Sequence, residues 1–190
     1  MILNRQNIYD GTLEKTASMS WGFVPLTAYH GGGADAVLEP LHQHLDAYRQ
    51  LMVQYYGAGV QACYRGPRLF DTDSTREMVT GIVKWYKAHR EILNSDMIQL
   101  RRADGRDWDG FIHVNPALEE KGFVLLFNPT GESITRSMRV PLYYTGLRQK
   151  ALVRDMKGNV RSYSLDRDYS ITMNVKIPAG GWVWFVIQGS

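Results

Sequence analysis

Two carboxylates, Asp71 and Asp73, lie close together just after a short apolar run, and paired carboxylates are what hydrolysis of a glycosidic bond uses. That chemistry needs them about 5–5.5 Å apart for retention of configuration, or about 6.5–9.5 Å for inversion. Spacing in sequence fixes no such distance. Asp73 and Ser74 also stand where a helix begins, and Asp is common there, so capping is the simpler reading of the pair. His42 and His44 are too close in a helical run to share a face and do not chelate one ion. The i, i+4 histidine pair of zinc proteases is absent. Gly31-Gly32-Gly33 follow Tyr29 and His30 and free the backbone there, but they lack the Lys-Ser/Thr of a phosphate loop and the glycine spacing of a dinucleotide site. No nucleotide, metal or other cofactor is expected.

The loop from Asp104 to Gly110 carries Asp-x-Asp-Gly at Asp107 to Gly110, a fragment of a calcium-loop pattern. Gly105 stands where the first Asp should be and Pro116 where the closing Glu should be, so an EF-hand is rejected. A hairpin turn explains the segment better, with calcium of another kind left open. Trp108 sits in this loop among Asp104, Arg106, Asp107 and Asp109, where a sugar face could stack on it or where it could fold back and pin the hairpin. Trp182 and Trp184 share one face of the last strand, which is expected to be core, since Val183 and Phe185 make the other face apolar too. The single cysteine, Cys63, excludes an internal disulfide and reads as a small buried hydrophobe.

These residues need elements to hold them, and the chain has the composition of a packed protein, with 44% hydrophobic and 22% charged residues. The formal charge of +3 is small and scattered, and Arg101-Arg102 is only a pair, so no nucleic acid is expected. No apolar run approaches about 18 residues and the first residues carry no signal pattern. The chain is therefore expected to be soluble and not membrane-bound, with export of a longer parent protein left open.

Residues 1–20 read as irregular. Trp21 to Tyr29 reads as a strand weakened by Pro25. Leu38, Leu41, Leu45, Tyr48, Met52 and Tyr55 recur at helical spacing, with Pro40 in the first turn and Gly57 and Gly59 at the end. Val60 to Tyr64 reads as a second strand. A second helix opens on a capping box of Ser74 and Glu77 and runs through Met78, Ile82, Tyr86, His89 and Leu93. Beyond it eight strands are expected, at 97–101, 110–114, 123–127, 134–141, 151–155, 160–165, 170–177 and 182–187, separated by turn signals. The fold class is thus an α+β chain in two parts: a partial (β/α) barrel segment over residues 1–95, and an all-β antiparallel sandwich over 96–190.

The order of parts, with Lys84-Trp85-Tyr86-Lys87, His89 to Leu93, Ile98 to Arg102, Asp104 to Gly110, Leu126-Phe127-Asn128-Pro129 and Ile177 to Gly181, resembles the C-terminal part of bacterial glycoside hydrolases of the α-galactosidase-like kind. The resemblance covers Trp21 to Ile187. It implies that His30 and Arg65 lie where the last barrel strands hand over to their loops, the face that carries the active site in such barrels. Tyr29, His30, Arg65, Asp71 and Trp108 are then the candidate sugar-contact residues, with His30 equally readable as an ordinary loop histidine. An oligo- or polysaccharide is the implied partner. A full barrel needs eight strands and this chain supplies about two, so the family's nucleophile and acid would lie before Met1. The resemblance therefore implies a chain that does not complete the chemistry alone. The other reading is a non-catalytic carbohydrate-binding or structural module. A cut barrel would also leave the faces of Leu41, Leu45 and Tyr48 without neighbours, which favours a homo-oligomer.

Overall fold

The computed structural model describes residues 2–14, 21–26 and 38–189. The chain opens on a helix, α1 (Ile2–Glu14), where an irregular segment was expected. Its apolar residues have little helical periodicity, so the pattern gave no signal. What holds it is tertiary. Arg5, buried, makes a two-pronged ion pair with the carboxylate of Asp109, Nε to Oδ1 at 2.6 Å and Nη2 to Oδ2 at 2.9 Å, and its guanidinium lies 4.7 Å from the Phe127 ring centre. Gln6 donates to the Ala103 carbonyl at 2.8 Å.

Two strands, β1 (Trp21–Pro25) and β2 (Gln61–Arg65), pair in parallel with Val24 opposite Tyr64. Pro25 closes β1, where its carbonyl still accepts from the Leu38 N–H. Between them lie a 3-10 turn, Leu41–Gln43, and the helix α2 (Leu45–Gly57). Pro40 precedes the 3-10 turn as its N-cap rather than entering the helix. The chain leaves α2 through Gly59 at φ +68, where a Cβ would lie 2.4 Å from the Leu93 carbonyl oxygen. Only glycine suits both the left-handed backbone and that approach.

The long helix α3 (Asp73–Leu93) starts on a capping box, but two residues earlier than expected. Thr72 is the N-cap and Thr75 its reciprocal partner, displacing the Ser74–Glu77 assignment. Asp71 lies beyond the box, so it is not the cap either. The buried stripe of α3 is Met78, Val79, Ile82, Ile92 and Leu93.

Eight strands follow: β3 (Asp96–Arg101), β4 (Asp109–Val114), β5 (Glu120–Phe127), β6 (Ile134–Pro141), β7 (Lys150–Asp155), β8 (Val160–Ser164), β9 (Ser170–Ile177) and β10 (Trp182–Gln188). They agree closely with the strands read from the turns. Six form an antiparallel sheet in the order β3-β4-β5-β10-β7-β8, and β6 pairs with β9 alone.

The six-stranded sheet is the middle layer. Strand residues alternate between faces, and here both faces are covered. Phe111, Phe123, Leu125, Phe127 and Val186 join Val24, Leu41, Tyr48, Met52, Ile82 and Leu93 in one apolar core, with Trp182 and Trp184 packed against it. Their neighbours Ile112, Val114, Val124, Leu126 and Ile187 join Met138, Val140, Ile171 and Met173 of β6 and β9 in a second. The first core thus draws on both sides of residue 95. Leu41 and Tyr48, expected to lose their neighbours, are fully buried within this chain and Leu45 is half-buried. The premise for association through those faces therefore fails. Trp184 stacks on Phe123 with centroids 5.4 Å apart, so the Trp182–Trp184 face is core. Cys63, by contrast, is exposed rather than buried.

His113 ties the layers at their junction. It is fully buried, with Nε2 2.8 Å from the Gly57 carbonyl at the end of α2 and Nδ1 3.2 Å from that of Ser95. A neutral imidazole has one proton to give, and the shorter distance assigns it to Nε2. Burial pushes the pKa of His113 down, against the raising effect of the two carbonyls. Below about pH 6.5 the unfolded chain therefore takes up a proton that the folded one refuses, so stability falls as pH falls through that range. We expect urea unfolding to show less stability at pH 5.5 than at pH 7.5. His113→Phe, which strands the Gly57 carbonyl, should cost about 1–3 kcal/mol at pH 7.5 and shrink that pH difference. An equal pH difference in both proteins would contradict the assignment.

Candidate functional site

Loops that follow parallel strands gather at the carboxyl ends of those strands, the edge where open α/β sheets and barrels place their sites. Here Leu26 N–H donates to the Arg65 carbonyl at 2.8 Å, and Leu38 N–H returns to the Pro25 carbonyl at 3.0 Å. The segment 38–43 after β1 and the segment 66–72 after β2 are thereby brought side by side.

Asp71 joins them. Its Oδ2 accepts from the His42 N–H at 3.1 Å and lies 2.8 Å from His42 Nδ1, while its Oδ1 accepts from the Thr75 hydroxyl at 3.0 Å. The Asp71 side chain is 4% exposed. Burial opposes its ionisation, but the hydrogen bonds from the His42 ring, the His42 backbone and Thr75 outweigh it and hold the carboxyl well below the usual carboxylate range. An ionised carboxylate only accepts, so the contact to His42 Nδ1 requires the proton to be on that nitrogen. In the neutral ring Nε2 is then an acceptor, and the His42 side chain is 45% exposed. The arrangement can orient a histidine so that its lone pair takes a hydrogen bond from a hydroxyl group. Alongside, the Arg68 guanidinium forks onto Glu39 with both bonds at 3.0 Å. Tyr48 anchors the loop from below by donating to the Leu69 carbonyl at 3.0 Å. Phe70 is exposed on the same loop.

The residues named from sequence fall unevenly around this arrangement. Tyr29 and His30 lie outside the described residues. Arg65 is exposed at the end of β2, on the expected edge. Asp71 is central, though as the brace between two loops. Asp73 is exposed in the first turn of α3. From sequence His42 reads only as a possible metal ligand; its partner lies 29 residues away, and no local pattern announces such a contact.

Trp108 belongs to the turn between β3 and β4. It is half-buried against the second core, its N–H bonds Asp107 at 2.8 Å, the Arg101 guanidinium lies 6.0 Å from its ring centre, and Arg101 also donates to its carbonyl. The acidic residues of this turn are each engaged. Asp104 pairs with Arg101 at 2.6 Å, Asp107 with Arg136 at 3.1 Å, and Asp109 with Arg5. Among the described residues no group of three or more His, Cys, Asp or Glu is gathered to hold a metal ion.

No protein-family model matches the sequence, and no curated protein matches it. Solved structures do share its fold. It is similar to a family 27 β-L-arabinopyranosidase of Geobacillus stearothermophilus solved with arabinose, at TM-score 0.58 and 14% identity over 98% of this chain and 43% of that one. α-Galactosidase I of Mortierella vinacea aligns at TM-score 0.54 and 15% identity, covering 94% of this chain and 44% of that one. A family 36 α-galactosidase of Geobacillus stearothermophilus solved with raffinose aligns at TM-score 0.62 and 16% identity, over 99% of this chain and 24% of that one. The chain has the fold of part of these glycoside hydrolases and spans less than half the length of each. No helix among the described residues is long and apolar enough to cross a membrane.

The brace has a direct readout. A lowered folded-state pKa means that the stability contributed by ionised Asp71 is fully present above about pH 4 and drains away as the pH falls below that value. A carbon-13 titration of the Asp71 carboxyl should find it ionised at pH 3, where an ordinary aspartate is about nine-tenths protonated. A midpoint near the ordinary value would contradict the brace.

Proposed function

We propose that this chain is the closing portion of a carbohydrate-active, glycosidase-like protein: the last βα units of a (β/α) barrel over residues 1–95, followed by a β-sandwich domain over 96–190. The observation that carries the reading is the parallel β1–β2 pair with its helices, joined through one core to an antiparallel sheet, in a fold shared with glycoside hydrolases along nearly the whole chain. In this reading the loops after β1 and β2 face the sugar. Arg65 and the His42 Nε2 supply contacts there, together with Tyr29 and His30, and Trp108 offers a ring in the β-domain. Asp71 acts through His42, as a positioning residue.

The chain does not hydrolyse glycosides by itself. Asp71, the carboxylate at this edge with the most enclosed position, has both oxygens committed to His42 and Thr75. A carboxylate so engaged and so strongly ionised suits neither a general acid, which must carry a proton near neutral pH, nor an unencumbered nucleophile. The catalytic pair would come from polypeptide outside these residues.

Purified chain assayed against aryl α- and β-galactosides, arabinosides and glucosides should therefore give no turnover above buffer. Turnover that follows the protein through purification and disappears in Asp71→Asn or Asp73→Asn would overturn this reading and make the chain an enzyme in its own right.

A further inference from the structure

The most exposed aromatic rings of the described chain are gathered far along the sequence from the β1–β2 edge. Tyr143 and Tyr144 are 61% and 62% exposed. They occupy a 3-10 turn, Tyr143–Thr145, that follows β6, and Tyr169 stands beside them immediately before β9. The Tyr143 ring meets Tyr144 at 5.2 Å and 90°, and meets Tyr169 at 5.5 Å and 75°. Two edge-to-face contacts therefore join three side chains into one corner of aromatic surface.

The backbone beneath the rings is pinned. Leu142 N–H donates to the Tyr169 carbonyl at 2.8 Å, Tyr169 N–H to Asp166 at 2.9 Å, and Thr145 N–H and hydroxyl both to the Leu142 carbonyl, at 3.0 and 2.6 Å. Leu142 and Thr145 are fully buried. Tyr169 holds φ at 60°, a left-handed conformation that a bulky side chain rarely adopts. Such an outlier persists only where its surroundings enforce it, and sites of recognition are where it is most often found. Beside the rings, Arg139 pairs with Asp168 and donates to Ser170, whose hydroxyl donates to Asp168 at 2.7 Å. The rim is polar, yet its opposite charges are matched.

We infer that Tyr143, Tyr144 and Tyr169 form a binding platform for a neutral pyranose unit of an oligo- or polysaccharide. Rings fixed in advance lose little rotamer freedom on contact, which is why tyrosine serves well on recognition surfaces. Their faces suit the C–H side of a sugar ring, while their hydroxyls, and the Arg139–Asp168–Ser170 rim, suit its hydroxyls. A rim whose charges cancel gives no pull to a phosphate, a nucleic acid or a strongly charged peptide. The inference rests on the carbohydrate reading above but assigns the contact to a surface that reading does not use.

Affinity electrophoresis of the full chain through gels containing galactomannan, arabinan or amylopectin tests it, with thermal melting and concentration-dependent light scattering on each variant. The platform predicts retardation by at least one of these polysaccharides. It also predicts at least a tenfold weaker apparent affinity in Tyr143→Ala and in Tyr144→Ala, whose melting is unchanged because the rings are exposed. Val160→Ala, an exposed side chain at the start of β8, should be retarded like the parent. Retardation that survives both tyrosine variants overturns the platform and leaves the carbohydrate reading standing. A parent chain that none of the three polysaccharides retards removes the platform and that reading's sugar contact together. Dimerisation of the parent that the tyrosine variants abolish would give the surface to a second copy instead.

Discussion

A sheet with two apolar faces has to be covered twice, and the six-stranded sheet here has two. β4 and β5 carry large hydrophobic side chains on consecutive residues, Phe111-Ile112 and Phe123 to Phe127, so each face presents a continuous apolar layer. The β6–β9 pair covers one of them and the helices α2 and α3 cover the other. At about 25 cal/mol per Å2 of apolar surface, a side chain such as Leu125 or Phe123 contributes about 1.5–3 kcal/mol by burial, which it would forfeit if the helical layer were absent. The rest of the architecture follows from this demand. α3 runs straight into β3 with only Asn94 and Ser95 between, because the helix that covers the sheet must lie against it. His113 places a polar ring inside that contact, its one proton given to the Gly57 carbonyl at the end of α2 and its other nitrogen beside the Ser95 carbonyl at the α3–β3 junction.

The same constraint reaches the candidate site. α3 lies against the sheet and against α2, α2 in turn packs on β1 and β2, and the loops at the carboxyl ends of those strands are closed by Asp71, Arg68 and Tyr48. Each closing contact links segments more than twenty residues apart. The orientation of His42 is thus set by how the layers pack and not by the short 3-10 turn that carries it.

Period and punctuation made most of the fold legible. The strands of the second part were bounded by Asp104-Gly105, Asn128 to Gly131, Lys157-Gly158 and Gly180-Gly181, each of which forces a turn by a known backbone preference. α2 and α3 announced themselves by an apolar stripe. α1 did not, since it is held by one buried ion pair and a hydrogen bond to residues about a hundred positions away. The capping box was misplaced because Thr72 and Ser74 are both good caps, and only the position of Thr75 against the loop decides between them. The site was less legible. The place of Arg65 at the end of a strand could be read from the turn that follows it, whereas the His42–Asp71 contact and the three-tyrosine corner are made by tertiary packing. Trp108 looked free among charged neighbours, but each of those charges has an arginine or backbone partner or points to solvent, and the ring rests on the second core.

If the shared core governs, the layers lose structure together. Urea unfolding followed by amide signals in nitrogen-15 spectra reads this residue by residue, comparing Ile82 of α3 with Leu125 of the middle sheet and Met173 of β9. The account predicts one cooperative transition with the same midpoint for all three. Loss of the Ile82 signal at a distinctly lower urea concentration, with Leu125 and Met173 intact, would mean that the sheet stands without its helical cover and would contradict the account.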